Sequence, residues 1–145
     1  MDHKTFMQRA IALAREGKEK GGGPFGAVIV KDDLIIAEAH NEVNIQQDCT
    51  LHAELLCIQR ACEALQSKDL SDCILYTSCV PCMMCLGAAK WARFREIYYG
   101  AGAQDAKEYG FIYSDMYYER NEALRDLEFN MYQLLREEAV MVWKE

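Results

Sequence analysis

Two short segments restrict this chain more than anything else in it. His52-Ala53-Glu54 opens one helical stretch, and Pro81-Cys82-Met83-Met84-Cys85 opens the next. Leu51, Leu55, Ile58, Cys62 and Leu65 keep a four-three rhythm, which predicts a helix over 51–66. Residues 73–77 read as a buried strand, 78–81 as a turn, 82–93 as a second helix with Pro81 suited to its first turn, and 96–100 as a further strand. Strand, helix, strand in that order implies a parallel pair. Cys82 and Cys85 stand one helical turn apart, so both sulfurs reach one point near the helix start. The partial positive charge of a helix N-terminus stabilises thiolates there. Two thiolates and the neutral imidazole of His52 suit Zn²⁺, and three protein ligands keep the fourth position for water, as catalytic zinc does.

Other readings of these residues stay open at this point. Cys79 is the rival fourth ligand, because Cys79, Cys82 and Cys85 fall three apart like part of an iron–sulfur run. Ala88 and Ala89 stand where such a run places its next cysteine. Glu54 is disfavoured as a co-ligand, since positions i and i+2 do not share a helix face. That alone gives it no catalytic role. A lone Cys-x-x-Cys also serves redox or structural zinc sites.

Elsewhere, Phe6, Ala10, Leu13 and Ala14 recur at helical spacing and predict an amphipathic helix over 2–16, ended by Gly17 and Gly21-Gly22-Gly23-Pro24. Residues 25–30 and 34–39 read as a hairpin about Asp32-Asp33, and 40–50 as a polar loop. Beyond Gly100 the pattern predicts a helical turn at 104–109 and a helix over 114–125. It also predicts a strand where Leu127, Phe129 and Met131 alternate, and a helix from Leu134 to Lys144. The antiparallel hairpin beside the parallel pair predicts a mixed sheet with helices on both faces, in one domain spanning 1–145.

The chain is 51% hydrophobic and 27% charged, which excludes disorder and leaves enough apolar mass for a core. No apolar run approaches the roughly 20 residues of a membrane span, and no secretory core follows Met1. Seven cysteines without a secretory signal predict a reducing, cytoplasmic compartment, with the scattered ones as small buried hydrophobes. The net charge of −7 argues against nucleic acid as a partner, and residues 101–145 hold ten acids against five bases. The aromatics Tyr109, Phe111, Tyr113, Tyr117 and Tyr118 could stack single-stranded RNA. The acidic flank favours a pocket wall or a dimer contact instead.

His52-Ala53-Glu54 followed by Pro81-Cys82-x-x-Cys85 resembles the zinc-dependent cytidine deaminase superfamily, whose signature is established. Residues 22–31 (GGPFGAVIVK), Asn41, 72–79 (DCILYTSC), 85–88 (CLGA) and Trp91-Ala92-Arg93 resemble bacterial guanine deaminases in particular. The likeness covers about residues 20–100. It implies a three-layer α/β/α sandwich around a five-stranded mixed sheet. It implies hydrolytic deamination of guanine to xanthine and ammonia, one Zn²⁺ per chain on His52, Cys82 and Cys85, and Glu54 moving protons. It also implies a homodimer. Asn41 would hydrogen-bond the substrate, and Phe25 and Trp91 would pack on its ring. The plain alternatives are a turn role for Asn41 and core packing for the two aromatics.

Three positions depart from the guanine deaminase pattern. Val80 stands where that pattern has Glu. Asp115, the acid after Gly110-Phe111 that would read the guanine edge, falls one position late. The sequence ends at Glu145, soon after Trp143, which predicts no C-terminal aromatic lid. Other expectations therefore remain: a tRNA adenosine deaminase, or an enzyme acting on cytosine, guanosine or another aminated heterocycle. A non-catalytic zinc-binding partner subunit ranks below these, because Glu54 is present.

Overall fold

The computed structural model describes residues 2–111 and 121–145. Helix α1 (His3–Glu19) starts where the Asp2 side chain accepts the Thr5 N–H, and it buries Phe6, Met7, Ala10, Ile11, Leu13 and Ala14. It runs three residues past the expected end, because buried Gly17 sits inside the helix and the stop comes at Gly21, in the left-handed region. Strands β1 (Gly26–Lys31) and β2 (Leu34–His40) pair antiparallel through Asp32 and Asp33, both left-handed as a two-residue hairpin turn requires. The polar stretch that follows holds one short helical turn, α2 (Val43–Gln46), where its polar composition predicts loop.

Helix α3 (Ala53–Leu65), strand β3 (Ile74–Cys79), helix α4 (Met83–Ala92) and strand β4 (Glu96–Ala101) form the expected parallel unit. β3 continues through Ser78 and Cys79, which sequence spacing assigned to a turn, and Pro81 precedes α4 rather than lying in it. Helix α5 (Ala103–Glu108) comes next. The helix expected over 114–125 falls largely on residues outside the described ones. Helix α6 (Glu122–Phe129) is capped by Asn121 and stopped by left-handed Asn130, so β5 is only Met131–Gln133. Leu127 and Phe129 are thus helical, not strand. Leu127 is exposed and Phe129 buried, and three alternating positions were too few to separate the two periods. Helix α7 (Arg136–Lys144) closes the order.

The five strands lie β2-β1-β3-β4-β5, antiparallel on the β2 side and parallel on the β5 side. Helices cover both faces: α1 and α7 pack together, as do α3 and α4. β1 and β3 are buried nearly throughout, which explains their unbroken apolar runs. α1 lies so close to β1 that a Cβ on Gly26 would overlap the Ala10 carbonyl and stand 2.6 Å from the Ala14 nitrogen. Gly26→Ala is therefore expected to destabilise the fold by about 1–3 kcal/mol in urea unfolding. An unchanged midpoint would mean that α1 can shift away freely.

All seven cysteines are free, in keeping with reduced thiols. Cys57 and Cys73 are buried as small hydrophobes, and the Cys57 thiol donates to the Ala27 carbonyl. Cys49 is exposed, contrary to the expectation, because it sits in the polar loop after α2 and faces no second layer. No described helix is long and apolar enough to cross a membrane.

Candidate metal and catalytic site

The C-terminal end of β3 delivers the chain to Cys82, and the loop after β2 delivers it to His52. Both residues are helix N-caps: His52 (φ −65°, ψ 153°) for α3 and Cys82 (φ −73°, ψ 177°) for α4. An N-cap usually carries a short oxygen side chain that bonds back to the helix. Neither residue does so here. Their side chains turn toward each other instead. Cys82 Sγ lies 3.6 Å from His52 Nδ1 and Cys85 Sγ lies 3.7 Å from the same nitrogen. The donor atoms of His52, Cys82 and Cys85 all fall within 4.8 Å of one another. Two sulfurs and a nitrogen at that spacing are a donor set that fits zinc.

The electrostatics follow from this crowding. A hydrogen bond from the Cys85 thiol, joined by one from His52, holds Cys82 well below the usual thiol range, and burial opposes it. Cys85 is pushed up, because it keeps the proton it shares with Cys82 and is itself buried. His52 is raised by its bond to Cys82. Cys79 is fully buried, which pushes its thiol far up and keeps it neutral. It stands outside the three-residue group. Val80 is buried too, and its N–H donates to the Ala101 carbonyl, so the position next to the cluster carries core packing and no charge.

Glu54 is buried in the first turn of α3. Burial foremost, then the nearby Cys82 sulfur, raises its pKa to about 7. A dication held by the neighbouring donors would draw it back toward the carboxylate range. Because His52 lies outside the helix, the rule on helix faces does not govern the pair. Glu54 is nonetheless not among the clustered donors.

The remaining predicted residues divide. Asn41 is buried at the same end of the sheet. Its N–H donates to the Phe25 carbonyl, and its Oδ1 accepts the Val43 N–H at 3.0 Å, which is the turn role. That leaves its amide NH₂ as the group it can offer a ligand. Phe25 is half-buried and meets Phe111 edge-on at 4.9 Å and Trp143 at 5.8 Å. Trp91 is a correction. It is 87% exposed and borders a surface cavity with Ile58, Cys62 and Arg93. Six residues beyond Cys85, it lies about 240° round and about 9 Å along α4, so within this chain it cannot face the metal donors. Asp115 lies outside the described residues. Sequence reasoning missed Trp143 as a neighbour of Phe25. Its apolar character in a C-terminal helix was visible, but its hydrogen bond to Pro24, 119 residues away, was not.

A cluster of this kind, at two helix starts on a mixed five-stranded sheet, fits a zinc site with one position open to water, and the relatives of this chain make it a zinc-dependent hydrolytic deaminase. The chain belongs to the family described as the cytidine and deoxycytidylate deaminase zinc-binding region, whose model matches residues 1–101. It is similar to the guanine deaminase of Bacillus subtilis, 50% identical over 135 residues, which cover 92% of this chain and 86% of that one. A solved structure of guanine deaminase from Nitrosomonas europaea superposes with a TM-score of 0.88 at 29% identity, covering 99% of this chain and 83% of the other. A tRNA-specific adenosine deaminase of Aquifex aeolicus is 41% identical over 101 residues, 70% of this chain and 67% of its own.

Proposed function

We propose that this chain, as a single domain, deaminates a small free aminopurine, guanine first, to xanthine and ammonia. In this reading His52, Cys82 and Cys85 hold one zinc ion per chain. The observation that carries it is the convergence of those three donors beside the buried carboxylate of Glu54. When bound, zinc supplies the Lewis acidity that lowers the pKa of a coordinated water from about 15.7 to about 7. Glu54 moves protons: it takes one from water, passes it to a ring nitrogen of the base, and delivers one to the departing amino group, which leaves as ammonia. In this reading Phe25 packs on one face of the base, and the Asn41 NH₂ donates to the base carbonyl. Asp115 is proposed as the acceptor for the ring N–H groups. A homodimer in the cytoplasm, working in purine metabolism, completes the reading on the strength of the family likeness.

The choice of guanine is supported by the extent of similarity to guanine deaminases, which reaches well past the zinc motif. The zinc chemistry alone serves cytosine, adenine and guanine alike. A pocket built to hydrogen-bond a carbonyl and two ring N–H groups rejects bases lacking them by large factors, because its polar groups would be left unpaired. Ammonia release across a panel should therefore rank guanine above cytosine, cytidine, guanosine and adenine. tRNA should show neither turnover nor a gel shift at physiological salt, in line with the net charge of −7. Faster turnover of adenosine in tRNA, with steeply salt-dependent binding, would overturn the substrate and promote the tRNA reading. The similarity to tRNA deaminases keeps that arm in the experiment.

A further inference from the structure

The last helix meets the loop that leads into β1. Trp143 Nε1 donates to the Pro24 carbonyl at 3.0 Å. Its ring packs on Phe25, on Phe111 at 4.9 Å and on Tyr109 at 5.8 Å. The loop it holds has little room. Gly22 N–H donates to the Gly17 carbonyl, and a Cβ on Gly22 would overlap the Asn41 carbonyl. A Cβ on Gly23 would come 3.0 Å from Asn41 Cγ. The Asn41 N–H in turn donates to the Phe25 carbonyl. The path of residues 22–25 therefore sets where Phe25 and Asn41 stand. α7 is itself fastened on either side of Trp143. Lys18 Nζ donates to the Val142 carbonyl at 2.9 Å, and Arg15 grips the Glu145 carboxylate through two nitrogens.

Resting on the reading above, we infer that Trp143 is a positioning residue for the base pocket. Its indole N–H fixes the Pro24 carbonyl and, through the loop, the placement of Phe25 and Asn41. It touches no reacting atom. The metal donors stand at the starts of α3 and α4, and among the described residues the hydrogen bond and ring contacts of Trp143 go to Pro24, Phe25, Tyr109 and Phe111 instead, so its loss leaves the chemical step intact. What changes is how firmly the pocket wall meets the base. The effect falls on KM and spares kcat.

The test uses Trp143→Phe and Trp143→Tyr, which keep an aromatic ring and remove the indole donor. Val142→Ala serves as a control that loses packing from the same helix without touching Pro24. Steady-state kinetics are read on guanine and on whichever base of the panel turns over fastest. KM should rise about three- to tenfold, the worth of one net hydrogen bond, with kcat within about twofold and zinc content unchanged. Hydrogen exchange at the Gly22 and Asn41 amides should quicken about tenfold in both ring variants, whether or not any base is turned over. Val142→Ala should lower the melting temperature and leave KM alone. Unchanged KM and exchange in both ring variants, or an equal KM rise in Val142→Ala, overturns the inference. If guanine is not the substrate, the same KM ratio on the true base, together with the exchange rates, separates that failure from this one.

Discussion

Glu54→Gln should leave the chain folded and loaded with zinc, and lose turnover by a factor on the order of 10²–10⁴ or more, the worth of positioned acid–base catalysis. The size of the loss comes from what the amide cannot do. It keeps the shape and one acceptor oxygen but carries no titrating proton. Glu54 is only 7% exposed, so no bulk buffer can stand in for it easily. The fold should not suffer, because burying an amide costs less than burying a charge. Steady-state ammonia release, elemental analysis and circular dichroism together make the check. A Gln variant within tenfold of the parent would place the catalytic base elsewhere.

Removing a metal donor should be as severe through a different route. Cys82→Ala and Cys85→Ala each leave one sulfur and one nitrogen. Losing a partner outside the ligand shell already costs about 10–100-fold in metal affinity or activity, and losing a ligand should cost more. Purified variants should carry almost no zinc after dialysis and show no measurable ammonia release. Cys79→Ala is the counter-case. Its buried thiol stays neutral and stands outside the cluster, so zinc content should remain near one per chain. Full zinc retention in both Cys82→Ala and Cys85→Ala would sink the site assignment. Zinc loss in Cys79→Ala would instead describe a closed, four-ligand structural site.

The parts of this molecule that were legible in its sequence are those set by local period and residue type. The rhythm from Leu55 to Leu65 made α3, the Asp32-Asp33 turn made the hairpin, and the run from Cys73 to Gly100 made the parallel unit. The cluster was legible because His and Cys have few reasons to open two consecutive helices. What stayed hidden depends on distance along the chain or on rotation about a helix. Trp91 shares a motif with Cys85 yet faces away from it, since motif membership carries no azimuth. Asn41 spends its Oδ1 on the Val43 N–H, a contact two residues away that a list of polar residues does not show. Leu127 and Phe129 mimicked a strand because two periods coincide over so short a stretch.

The bond between Trp143 and Pro24 also orders events in time. Its partners are 119 residues apart, so the acceptor is made first and the donor follows 119 residues later. At about 5–20 residues per second of synthesis, the loop waits on the order of ten seconds for its clamp. By then His52, Cys82 and Cys85 have been joined to the growing chain, and the strands that position them precede α7. A nascent chain can thus assemble its metal donors while its substrate wall is still loose. On the proposed reading, competence to bind zinc would come earlier in the life of the polypeptide than competence to choose a base.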